Sequence, residues 1–135
     1  MWLRTIGVSF LNWIANYILV IFVIVYLLPN DWSGYANTIP MWIVSAFVAF
    51  GFAYWLFSSR LPSSRDTAAV IGIWMVVNAT MQVFHAFYYL GSLAPLLYGP
   101  DIYVQYVLEI IAIMSASYYV RRKKMQSTFG EGLVD

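Results

Sequence analysis

Four runs of roughly 20 apolar residues, separated by short polar turns, constrain this chain more than any motif in it. A helix needs about that many apolar residues to cross a hydrocarbon core of about 30 Å. The runs fall at about residues 6–28, 39–59, 68–90 and 102–120. Hydrophobic residues make up 62% of the chain and charged residues 10%, with mean hydropathy +0.73. A soluble domain carries about a quarter charged residues, so the surplus apolar surface has to face lipid. Disorder is excluded too, because it needs low hydrophobicity and high charge. The sequence thus predicts an all-α integral membrane bundle of four transmembrane helices in one domain, residues 1–124. A short polar tail, 125–135, follows and is expected to be loosely ordered.

Turn chemistry marks the connections. Pro29, Asn30 and Asp31 stop the first helix, and Pro40 suits the first turn of the second. Ser63 followed three residues later by Asp66 predicts a capping box for the third helix. Gly91, Pro95, Gly99 and Pro100 mark the last loop, and Asp101 is the expected N-cap of the fourth helix. The first run is too long for a signal-peptide core and is read as a retained span.

Orientation comes from the basic residues. Under the four-span reading all seven Lys and Arg fall on one side: Arg4, Arg60, Arg65, Arg121, Arg122, Lys123 and Lys124. The opposite loops carry Asp31 and Asp101. The positive-inside rule then predicts up-down topology with both termini cytoplasmic, in a plasma (inner) membrane. Tyr26, Trp32, Tyr35, Trp42, Tyr88, Tyr98 and Tyr103 would form the outer aromatic belt. Trp2, Tyr54, Trp55, Tyr118 and Tyr119 would form the inner one. The run Arg121, Arg122, Lys123, Lys124 sets topology, and a run of this kind also suits contact with anionic lipid.

Polar residues inside spans are costly and tend to face the bundle interior. Thr5, Ser9, Asn12 and Asn16 recur at helical spacing in the first run. Asn78, Gln82, His85 and Tyr89 repeat that spacing in the third, and Gln105, Glu109, Ala112 and Ala116 in the fourth. Each set covers a stripe of roughly 60°. The second run offers a row of small residues instead, Ser45, Ala49 and Ala53, which lets a neighbouring helix come close. Counting residues from the outer ends sets Glu109 level with Gln82, and His85 level with Gln105. The expectation is therefore an outer-half cluster of Gln82, His85, Gln105 and Glu109. Asn78 would link it to Asn12 and Asn16 on the first helix.

Several chemistries are excluded by residue type. Cys is absent, so thiolate metal sites, disulfides and thiol redox chemistry are ruled out. One His and one buried acid supply too few ligands for a metal, and no cofactor is expected. No span contains Lys, and no basic stripe outside the flanks suits nucleic acid. Glu109 and His85 are the titratable pair, and Asn12, Asn16, Asn78, Gln82 and Gln105 are candidate lining residues. Three functions fit. One is an interior polar cavity that binds or passes a small polar or amphipathic solute, with proton linkage through Glu109 and His85. The second is a non-catalytic subunit of a larger membrane complex, its polar faces acting as interhelical glue. The third is a membrane-embedded enzyme on a lipid-like substrate with a His/Glu acid–base pair. Besides the lipid bilayer, the partners expected are further copies of the chain or other membrane subunits.

Overall fold

The computed structural model describes residues 2–22, 35–59, 61–91 and 100–131. Among these, the structure is entirely helical. We number the helices α1 (Trp2–Phe22), α2 (Tyr35–Ser58), α3 (Ser64–His85) and α4 (Pro100–Glu131), with a π-helical turn, Ala86–Leu90, extending α3. Three stretches are long and apolar enough to cross a membrane: Ile39–Ser58, Ser64–Tyr88 and Ile102–Ser127. Their outer faces are apolar, with Phe47, Phe87 and Val76 more than two-thirds exposed.

Local signals account for several helix ends. The Ser63 hydroxyl accepts from the Asp66 amide at 3.0 Å, and the Asp66 carboxylate accepts from the Ser63 amide at 3.0 Å. The expected capping box therefore starts α3, four residues before the predicted boundary. Gly91 closes the π-helical turn with φ 62, a left-handed conformation that costs glycine little. Two expectations fail. Pro40 lies inside α2 and not in its first turn, because the helix already begins at Tyr35. A proline there removes one ladder hydrogen bond, which the long apolar segment tolerates. Residues 125–131, expected to be loose, continue α4 to Glu131, since no Gly or Pro interrupts the helix before Gly130. α4 starts at Pro100, so Asp101 falls within its first turn. The expected stop at Pro29, Asn30 and Asp31, the turn residues Pro95 and Gly99, the basic residue Arg60 and the belt residues Tyr26, Trp32 and Tyr98 lie outside the described residues.

Side-chain contacts fix the helix directions. Arg4, at the start of α1, donates to Ser59 Oγ at 3.0 Å just past the end of α2, so those helices are antiparallel. Thr67 meets Ser117 at 2.7 Å and Trp74 meets Glu109, so α3 and α4 are antiparallel as expected. α2 and α4 run parallel, with Ser45 beside Glu109 at one level and Tyr54 against Tyr119 at another. The packing order around the bundle is α1, α2, α4, α3, which sets the consecutive helices α2 and α3 on opposite sides. The tightest seam joins α2 to α4, where Ala49, Ala53, Ala112 and Ala116 are all buried. Small side chains there let the backbones approach. Val8, Leu56, Phe57, Val70, Trp74, Ile113 and Val120 complete the core.

Candidate functional site

Glu109 is fully buried at the meeting of three helices. Its Oε1 accepts from Ser45 Oγ of α2 at 3.0 Å and from Gln105 Nε2, one turn earlier on α4, at 3.0 Å. Its Oε2 accepts from Trp74 Nε1 at 3.1 Å and Asn78 Nδ2 at 2.7 Å, both on α3. Gln105 also donates to Ser45 Oγ at 3.2 Å. A carboxylate offers about four lone-pair positions, and here each oxygen takes two donors. All four donors are neutral. In hydrocarbon each of these N–H and O–H groups needs an acceptor, and one side chain supplies it for all of them. Helical spacing makes this possible, because Trp74 and Asn78, like Gln105 and Glu109, are four residues apart on one face.

The predicted stripe of α1 is inward-facing in full, with Thr5, Ser9, Asn12 and Asn16 buried. Ser9 satisfies itself by donating to the Thr5 carbonyl at 2.8 Å. Asn12 and Asn16 do not, and both amide nitrogens and both amide oxygens are buried without a partner. On α3 the Asn78 amide has its nitrogen committed to Glu109, and its Oδ1 is buried and unpartnered, as is Gln82 Oε1. Tyr17 of α1 meets His85 of α3 edge-on at 5.5 Å, and these two helices run parallel. Counting back at ~1.5 Å per residue sets Asn12 and Asn16 at the heights of Asn78 and Gln82, within about one turn.

The predicted cluster is thus only partly brought together. Gln105 does bond Glu109. From α3, however, the carboxyl takes Trp74 and Asn78, where Gln82 and His85 were expected. His85, seven residues beyond Asn78 and so ~10 Å farther along the axis, packs on Tyr17. The error is axial register. Counting from helix ends placed Glu109 level with Gln82, and α3 slides one to two turns from that position. Two participants were missed. Ser45 read as a small residue at a packing seam, although its hydroxyl can also donate. Trp74 read as apolar, although it stands one turn before Asn78 on the same face, and a buried indole N–H seeks an acceptor. The side chain of Tyr89 lies outside what is described.

The chain matches no protein-family model, no curated protein and no solved structure.

The basic residues that are described gather at one end of the bundle. Arg4 lies over the Trp55 ring at 5.2 Å, donates to its carbonyl at 3.4 Å and bonds Ser59. Arg121 reaches Ser64 and Thr67 at the start of α3, at 3.3 Å each. Arg65, Arg122 and Lys123 are exposed, and Lys124 is half-buried. Trp2, Trp55, Tyr118 and Tyr119 are exposed at the same end, and Tyr88 and Tyr103 at the other.

Proposed function

We propose that this chain is a four-span plasma (inner) membrane protein, with its basic end and both termini cytoplasmic, that binds or passes a small polar or amphipathic solute through the bundle interior. The observation that carries this reading is the pair Asn12 and Asn16. An unpaired buried amide costs about 1–3 kcal/mol, and native structures rarely retain one without water or a ligand to pair it. Two such side chains stand one turn apart on the same face. At their height the Asn78 and Gln82 oxygens are also unpaired. Glu109 serves this site by positioning. It holds Asn78 by the nitrogen and so frees the amide oxygen. His85 and Tyr17 bound the site along the axis. His85 and Glu109 are the groups through which passage would be linked to protons.

The test uses protein reconstituted in liposomes, with glycerol and urea as probes followed by stopped-flow light scattering and an internal pH dye for proton linkage. Faster entry than into empty liposomes, reduced in Asn12→Leu and Asn16→Leu, is the expected result. Rates equal to those of empty liposomes for both probes, with no dye response, would sink the proposal.

The non-catalytic subunit reading also has an observation behind it, because Glu109 is satisfied entirely by its own chain. On that reading Asn12 and Asn16 pair with a neighbouring subunit after rearrangement, and a homogeneous lone species in mild detergent would count against it. The acid–base enzyme reading gains nothing from this geometry, as Glu109 and His85 engage different partners.

A further inference from the structure

At the basic end α3 and α4 flank an open cleft of ≈ 330 Å³. Its floor is the Thr67–Ser117 hydroxyl pair, its apolar walls include Ala68 and Ile71, and Ser64 and Arg121 stand at its polar side. A guanidinium has five N–H donors in a rigid fork that matches phosphate or carboxylate. In Arg121 the two terminal nitrogens reach hydroxyls at 3.3 Å, beyond the usual range for such bonds. Its Nε is buried with no partner. The nearby acid Asp66 is turned back onto Ser63 at 2.8 and 3.0 Å. Arg121 is therefore an ordered cation whose hydrogen bonds go to neutral hydroxyls, beside an apolar cleft open to the outside of the bundle. Arg122 and Lys123 follow it on exposed positions, and Arg65 is exposed on the first turn of α3.

We propose that this cleft binds an acidic phospholipid, its phosphate on the fork of Arg121 and the Ser64 hydroxyl and its glycerol and acyl carbons along Ala68 and Ile71. Charge complementarity and the mixed lining select this occupant. A free anion would leave the apolar walls unused, and a zwitterionic lipid would gain less from the surrounding cations. The site is independent of the interior one proposed above, because the two share no residue.

The experiment is thermal unfolding of the full chain in mild detergent, titrated with short-chain phosphatidylglycerol, phosphatidylcholine or inorganic phosphate. Phosphatidylglycerol is expected to raise Tm saturably, with phosphatidylcholine and phosphate giving little change. Arg121→Gln should weaken that response at least tenfold. Ala68→Phe, which fills the cleft from an exposed position and leaves the arginine intact, should weaken it as much and guards against a folding defect in the first variant. Arg122→Gln with Lys123→Gln should retain a saturable response. Equal shifts from both lipids overturn the proposal, and so does an equal response to phosphate alone. It also fails if Arg121→Gln and Ala68→Phe both respond like the wild type while the outer double variant does not, because the attraction is then diffuse surface charge.

Discussion

Asn78 donates to Glu109 at 2.7 Å, and that bond decides which end of the Asn78 amide is left unpaired in the bundle interior. With Trp74, Gln105 and Ser45 it makes one carboxyl the common acceptor for three helices.

Replacing that acceptor has a graded consequence. In Glu109→Gln one oxygen becomes an NH₂ group, which meets two donors. The expected loss is about 1–3 kcal/mol, read by thermal unfolding in mild detergent. Glu109→Ala should cost more, because all four donors lose their acceptor. A Glu109→Gln variant as stable as the wild type would mean that the four donors do not depend on a carboxylate.

Asn12→Leu is expected to behave in the opposite way. It removes two unpaired polar atoms from the interior, so stability of the unliganded protein should hold or rise by about 1–2 kcal/mol, while solute entry into liposomes falls. Interhelical glue predicts the reverse sign for stability, and unfolding curves of the variant decide between them.

The α2–α4 seam should reject bulk. Ala53 is fully buried in the core it shares with Ala112, Ile113 and Ala116, so Ala53→Leu is expected to cost about 1–3 kcal/mol through overpacking. Gly51, two residues earlier and so on the exposed side, meets nothing within 4 Å of a built Cβ. Gly51→Ala should therefore be neutral or slightly stabilising by helix propensity. Comparable destabilisation in both variants would contradict this packing.

Outside the apolar segments, Ser63→Ala removes the side-chain half of the capping box. A loss of about 1 kcal/mol is expected, with hydrogen exchange raised in the first turn of α3 and unchanged near Asn78. Uniform loss of protection along α3 would show that the cap does more than finish the helix end.

What could be read from the sequence follows the range of the interactions. The Ser63–Asp66 box spans three residues and was legible. So was the inward face of Thr5, Ser9, Asn12 and Asn16, because a helical repeat alone determines it. The inward turn of Asn78 and Glu109 followed in the same way. Axial register did not, because nothing local to either helix sets how far α3 slides past α4. The bonds that lock it, Trp74 and Asn78 to Glu109 and Thr67 to Ser117, join residues far apart in the chain. Ser45 stayed hidden for a related reason. Its role depends on α2 lying parallel beside α4, a neighbour relation that short connections do not dictate.

The packing order bears on how the protein is made. α1 with α2, and α3 with α4, are two antiparallel hairpins. Ser45 belongs to the earlier pair, and Glu109 with its other three donors belongs to the later one. During biogenesis the acid would remain one donor short until the pairs dock. Docking of the two pairs is thus what completes the four-donor shell of Glu109.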